Sequence, residues 1–358
     1  MNGRALRLNA RRASLLLLVA IGGCTSSAPP SSSVAPSSPP SLPTVAGPVT
    51  MLVDTDVAPD DLVAIAFLIG APEVSVAAIT VSGTGEAHCV EGVAIVLRLL
   101  ERLRAPEIPV ACGREQPLGL DHAFPEPFRD NADRAAGLPL PDTTRQPASG
   151  DAVSLIRRTL VGGDGPLRVL TLGPLTNLAE ALQKDPALVA RIDALYVMGG
   201  AVDVPGNVAG SPGAPADNTA AEWNIYADPA AAAIVFDTAA PIFLVSLDGT
   251  NQVPITPSFV QLVRDQARAP GLQVLADLLT RNSYMTDGGY YLWDAVAAIS
   301  AAGYSIGEFA AVRLSVDEAE GASSGATRRT SGTPNANFLS SAQADTVEAL
   351  LLSVLNAE

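Results

Sequence analysis

The sequence predicts an α/β fold, a single domain with a mostly parallel central sheet flanked by helices. Three observations predict it. Short apolar runs, continuous rather than alternating, read as strands buried on both faces. Most of these runs are followed by a stretch with helical spacing of apolar residues. Acidic and amide side chains gather just past the runs, where open parallel sheets place their ligands.

The elements follow in order. Val49 to Val53 is a buried strand, and Asp60 to Ile69 is a helix. Val74 to Val81 is a second strand, followed by a helix from Gly92 to Arg102. Leu167 to Leu172 pairs with a helix from Asn177 to Leu182. Ala194 to Met198 leads through a long loop into a helix from Ala230 to Phe236, and Pro241 to Ser246 is a further strand. No internal repeat interrupts the alternation.

The chain has 358 residues, and its first stretch stands apart from the fold. Arg4, Arg7, Arg11 and Arg12 precede an apolar run from Leu15 to Ile21, too short to span a bilayer. Residues 1–23 therefore read as a signal peptide. Ile21-Gly22-Gly23-Cys24 resembles the bacterial lipobox, which implies a diacylglycerol on Cys24 and an exported lipoprotein held on the outer face of a bacterial membrane. Residues 24–48 are the lipidated Cys and a tether made almost wholly of Ser, Pro, Ala, Thr and Val, with too little to bury to offset the entropy of ordering. Residues 49–358 remain for one large domain.

The net charge is −15. The leader carries four Arg and no acid, so the rest holds 18 basic residues against 37 acidic ones, near −19. Such a surface repels a phosphate-coated partner, which excludes nucleic acid. A neutral small molecule is not affected, and a homo-oligomer is compatible with the sequence. Of three Cys, Cys24 belongs to the leader region; Cys89 and Cys112 are left. An oxidising exterior favours a disulfide between them, with two buried thiols as the alternative.

The first strand runs into Asp54-Thr55-Asp56-Val57-Ala58-Pro59-Asp60-Asp61. Four carboxylates within eight residues repel one another unless a cation or protons hold them together. Helix capping accounts for one or two of them. Hard oxygen ligands in this number favour Ca²⁺ or Mg²⁺.

Here the chain resembles the inosine-uridine-type nucleoside hydrolases. Asp54-x-Asp56 with Asp60-Asp61 is similar to their DxDxxxDD signature. Leu172-Gly173-Pro174-Leu175-Thr176-Asn177, Met198-Gly199-Gly200, Gly206-Asn207, Glu222-Trp223-Asn224, Asp228-Pro229 and Trp293-Asp294-Ala295 continue the match in order. The resemblance implies that 49–358 is the catalytic domain and that Ca²⁺ is the cofactor. Asp56, Asp61, Asp294 and the backbone carbonyl of Leu172 would be its protein ligands. It implies hydrolysis of the bond between ribose and base, with Asp56 taking a proton from the attacking water. Asp60, Thr84, Asn207, Glu222 and Asn224 would hold the ribose hydroxyls.

The sequence departs from the family in three places. Val57-Ala58-Pro59 replaces a Pro-Gly turn, with the backbone path expected to persist. Ser82-Gly83-Thr84 stands where a Gly-Asn pair contacts the ribose. Trp293 occupies the position of a general-acid His in one branch of the family. Indole cannot serve as that acid, so the chain resembles the purine-preferring branch, in which stacking assists protonation of the base. His88 follows the Thr84 loop as another candidate contact, and the long Gly/Pro-rich loop before Glu222 is a candidate lid. A calcium-containing solute-binding lipoprotein that binds a nucleoside or sugar without cleaving it is the alternative from another class. A calcium-stabilised interaction protein is a third.

Overall fold

The computed structural model describes residues 47–357 apart from Asp164 and Pro212. The signal peptide, Cys24 and the tether to residue 46 lie outside the described residues.

The strands are β1 (Val49–Thr55), β2 (Val74–Val81), β3 (Val110–Cys112), β4 (Leu167–Thr171), β5 (Ile192–Met198), β6 (Ile242–Val245), β7 (Gly307–Val312), β8 (Leu314–Val316), β9 (Thr327–Arg329) and β10 (Ala336–Ala342). The helices are α1 (Pro59–Gly70), α2 (Cys89–Arg102), α3 (Glu126–Ala132), α4 (Ala152–Gly162), α5 (Thr176–Lys184), α6 (Trp223–Ala227) and α7 (Pro229–Phe236). They continue as α8 (Leu247–Thr250), α9 (Pro257–Gln266), α10 (Pro270–Arg281), α11 (Trp293–Ala302) and α12 (Ala344–Leu355).

Eight strands form one sheet in the order β3-β2-β1-β4-β5-β6-β10-β7. All neighbours are parallel except the β10–β7 pair at one edge. The order reverses direction beside β1, between β2 and β4, so the loops after these strands open a crevice at the carboxyl edge. This is the α/β architecture the apolar runs predict. Each strand and helix predicted up to Ser246 is present, with ends shifted by up to three residues. β8 and β9 form a separate antiparallel pair.

Helix α1 is apolar on nearly every face, which suits a helix enclosed by protein. It packs against α10, α11 and α12, and its contact with α11 is the most extensive. Pro59 opens it, a position where the missing N–H costs nothing. The close packing sets the first turns of α1 and α11 side by side beneath the crevice. Cys89 and Cys112 form a disulfide between the start of α2 and the end of β3, the pairing that the exterior setting favours. Among the described residues, no helix is long and apolar enough to cross a membrane.

Candidate active site

A cavity of about 950 Å³ opens at the carboxyl edge of the sheet. Asp56, Asp60, Asp61, Glu86, Leu172, Asn207, Glu222, Asn224, Trp293 and Asp294 all line it. A smaller recess of about 410 Å³ sits beside Pro48, Gly163, Arg168 and Asp193, at the amino ends of β1 and β4, and gathers no carboxylate cluster.

The floor is acidic and buried. Asp56 follows β1, Asp60 and Asp61 lie in the first turn of α1, and Asp294 lies in the first turn of α11. Helix amino ends favour negative charge, and here two of them face the same point. Ligand oxygens of Asp60, Asp61 and Asp294 fall within 4.8 Å of one another. Asp61 Oδ1 accepts from Thr55 Oγ1 and from the Asp56 N–H at 3.2 Å. Asp61 Oδ2 is buried and has no hydrogen-bond partner among the described residues. An orphaned carboxylate oxygen amid further carboxylates is the donor set of a hard divalent cation, so the residues fit one. Leu172 adds a carbonyl at the wall. One of its lone pairs takes a hydrogen bond from Asn224 Nδ2 at 2.6 Å, and a carbonyl has two.

Burial governs the protonation of this group. It lifts the Asp60 carboxyl to about 7, helped by the charge of Asp61 and opposed by the Tyr290 hydroxyl, which donates to Asp60 Oδ1 at 2.8 Å. Burial, then the neighbouring acids Asp61 and Glu86, hold the Asp56 carboxyl well above the usual carboxylate range. Asp294 is pushed up by burial and then by Asp61 and Asp60. Beneath them Asp54 accepts from Thr80 Oγ1 at 2.5 Å and Asn177 Nδ2 at 2.8 Å; burial still lifts its carboxyl to about 7.

Asp56 is tightly enclosed. A Cβ on Gly85 would lie 2.2 Å from the Asp56 Cβ, and one on Gly173 would lie 2.6 Å from it. Only glycine allows both loops to approach so closely. Val57, next in the chain, holds a left-handed φ of 67°, which costs a β-branched residue on the order of 1–3 kcal/mol. Its N–H donates to Thr55 Oγ1 at 3.1 Å. The turn without Pro-Gly thus still delivers Asp60 and Asp61 to the floor.

The opposite wall is polar. Glu222 caps α6, accepting from Asn224 N at 3.0 Å and Ile225 N at 3.2 Å, and it also accepts from Gly200 N at 3.0 Å. Burial raises its carboxyl and these backbone bonds oppose the rise. Asn207 Oδ1 accepts from Trp223 N at 3.1 Å. The long loop before Glu222 folds back on itself through Gly206 N–Thr219 O at 2.9 Å and Asn207 N–Ala221 O at 3.0 Å. It forms wall, bringing Asn207, Gly210 and Ser211 to the cavity, rather than standing apart as a lid.

The remaining wall is aromatic. Phe124, Phe128, Trp223, Tyr284, Tyr290 and Trp293 line it. Trp293 is half-buried; its Nε1 donates to Asn251 Oδ1 at 3.0 Å and its ring meets Tyr290 edge-on at 4.7 Å.

Two expectations are corrected. Thr84 does not line the cavity: its buried hydroxyl is engaged by Ser82 Oγ at 3.0 Å and Thr176 Oγ1 at 2.9 Å. His88 does not line it either, because Asp133 Oδ2 holds its Nδ1 at 2.7 Å and Arg129 Nε donates to its Nε2 at 3.2 Å. Glu86, Asn131, Tyr284 and Tyr290 are cavity residues the sequence reading missed. For Glu86 the available signal was an acid two residues beyond Thr84, in a glycine-rich loop after a buried strand.

Comparison with known proteins identifies the relatives of this chain. The pyrimidine-specific ribonucleoside hydrolase RihA of Salmonella paratyphi C is 34% identical over 232 residues, 64% of this chain and 70% of that protein. The structure of a purine-preferring ribonucleoside hydrolase from Gardnerella vaginalis superposes with a TM-score of 0.73 at 25% identity, covering 86% of this chain and 100% of that one. A plant nucleoside hydrolase, the PpNRh1 enzyme, superposes with a TM-score of 0.75 at 27% identity, covering 87% and 100%. The family model described as inosine-uridine preferring nucleoside hydrolase matches residues 51–349, a span that includes every floor carboxylate. The chain belongs to that family and is a nucleoside hydrolase.

Proposed function

We propose that the chain is a calcium-dependent ribonucleoside hydrolase that favours purine nucleosides and works outside the cell as a lipoprotein anchored through Cys24. The observation that carries the reading is the buried floor, where Asp60, Asp61 and Asp294 converge beside Asp56 with one Asp61 oxygen unpartnered. Asp56, Asp61, Asp294 and the Leu172 carbonyl would hold the cation. A bound Ca²⁺ supplies a Lewis acid that makes water a stronger acid and fixes hydroxyl oxygens.

The side chains do the rest. Asp56 accepts the proton of the attacking water, which adds at C1′ of the ribose as the glycosidic bond breaks through an oxocarbenium-like state. Asp60 accepts from a hydroxyl of the ribose diol. Asn207, Glu222 and Asn224 hold the remaining hydroxyl from the opposite wall. Gly85 and Gly173 keep Asp56 from moving, so its aim is set before substrate arrives.

The base then lies among the aromatic side chains. The named relatives differ in base, one pyrimidine-specific and one purine-preferring, so the preference is read from the cavity. Among the described residues lining it there is no His. Trp293 offers an indole edge or face against the base, and a purine can take a proton at N7 where uracil cannot. A cation over indole gains ~0.5–2 kcal/mol, which favours the protonated purine.

The test is release of free ribose by the full chain from inosine, adenosine, guanosine, cytidine and uridine. Purines should be cut faster. Binding of a nucleoside with no ribose released would establish the solute-binding alternative instead.

A further inference from the structure

The loop between β2 and α2 reaches the cavity through a different side chain from the one its sequence suggests. Thr84 is bound to Ser82 and Thr176, so it has no hydroxyl to offer a substrate. Glu86 is half-buried and lines the cavity. Its backbone N–H donates to Asp56 Oδ2 at 3.1 Å, which sets it directly beside the floor. Its carboxylate accepts no hydrogen bond from any other described residue, whereas that of Asp60 is partnered by Tyr290. Burial, then the charges of Asp60 and Asp61, push its carboxyl well above the usual carboxylate range, and the Arg129 guanidinium opposes the rise. Asp60 and Asp61 line the same cavity.

The loop is held rigidly. Buried Arg129 of α3 donates to the carbonyls of Gly85 and Gly83, the latter at 3.2 Å. Ser82 N donates to Thr55 O at 2.8 Å, and Ala87 N to Asp56 O at 2.9 Å. His88 N donates to Asp133 Oδ1 at 2.8 Å, and the Cys89–Cys112 disulfide closes the far end. The carboxylate stands on a firmly held backbone and is itself unpartnered, an acceptor available to a donor on the ligand. A ribose brings O–H donors, two of them adjacent.

We propose that Glu86 is a further specificity-determining residue of this site, its carboxylate accepting a hydrogen bond from the 2′,3′-diol of the ribose next to Asp60. The proposal rests on the ribonucleoside hydrolase reading above. Glu86 then does what Thr84 cannot, and hydroxyls of the diol meet two carboxylates from separate elements, β2–α2 and α1.

The experiment measures kcat/KM of the full chain, calcium present, for inosine and its 2′-deoxy, 3′-deoxy and 5′-deoxy analogues, in the wild type, Glu86→Ala and Glu86→Gln. Inhibition constants against inosine supply the comparison for any analogue not turned over. Loss of a hydrogen bond to a charged group predicts a drop of roughly 10-fold to 100-fold on inosine for Glu86→Ala. That penalty should shrink several-fold on the 2′-deoxy or the 3′-deoxy substrate and stay whole on the 5′-deoxy one. Glu86→Gln, which keeps an acceptor, should recover part of the loss. Equal penalties on all three analogues, or unchanged inosine kinetics, overturn the proposal. So does a Glu86→Ala variant that loses the rise in Tm given by calcium, since Glu86 would then serve the cation or the fold. A wild type that releases ribose from no nucleoside overturns the hydrolase reading itself.

Discussion

The acidic floor and the aromatic wall of one cavity are built by different means. The floor comes from a strand end and two helix starts, locked by a buried core: Asp56 after β1, Asp60 and Asp61 in α1, Asp294 in α11. The wall is gathered from more places: Phe124 and Phe128 before and in α3, Trp223 in the short helix α6, Tyr284 and Tyr290 before α11, and Trp293 at the head of α11, with Tyr284 substantially exposed. On the proposed reading, the reaction, which tolerates little misplacement, is set on the floor, while discrimination between bases falls to aromatic side chains collected from several elements.

Changes to the floor should therefore act on turnover far more than changes to the wall. Asp56→Asn should lower kcat by about 10²–10⁴-fold, the range for losing a general base, with little loss of Tm. A variant with near-normal turnover would break the comparison at its strongest point. Chelation should abolish hydrolysis and lower Tm, since a ligand bound only to the folded state stabilises it by about 2.7 kcal/mol at 100 times its Kd.

Gly85→Ala comes next. Its Cβ would collide with Asp56 at 2.2 Å, and a displacement near 1 Å costs about 10²-fold. Steady-state kinetics with a thermal melt separate this from unfolding. The expected result is a large fall in kcat in a protein that still folds.

The floor also predicts how stability depends on pH. Burial lifts Asp54 and Asp60 to about 7, against about 4 in an unfolded chain. Groups raised in this way stabilise the fold below the unfolded value, and that contribution is lost as pH rises through about 7. The chelated protein should melt at a lower temperature at pH 8 than at pH 5, and calcium should offset the fall. A chelated protein whose Tm rises over that interval would show that the carboxylates are neutralised by other means.

The smallest effect belongs to the wall. Trp293→Ala should reduce purine turnover by about twofold to thirtyfold, and turnover more than binding. Kinetics on inosine and uridine check it. Unaltered turnover on inosine would assign Trp293 to packing alone, with its bond to Asn251 as its main role.

The same division governs what the sequence made legible. Asp54, Asp56, Asp60 and Asp61 stand together in the chain, so their repulsion is visible without a structure. Asp294 lies more than 230 residues further on, and only the family resemblance connected it to them. Glu86 was missed because a single loop Glu looks solvated until the Gly85–Asp56 contact and Arg129 are seen beneath it. Thr84 was misread because its partner Thr176 arrives from the start of α5, a long-range contact that spacing does not reveal. Phe124, Tyr284 and Tyr290 sit in segments without periodicity, so nothing local marked them. β7 to β10 passed unread for a related reason: the β8–β9 strands are three residues long, and β7 runs against its neighbour.

On the proposed function, this floor cuts ribonucleosides with the help of a divalent cation. The most direct measurement is ribose released from inosine by the full chain in calcium, after chelation, and after calcium is restored, with Asp56→Asn run alongside. The expected result is release in calcium, none after chelation, recovery on restoration, and almost none from Asp56→Asn at any calcium concentration. Undiminished release from the thoroughly chelated wild type, or from Asp56→Asn, would contradict it.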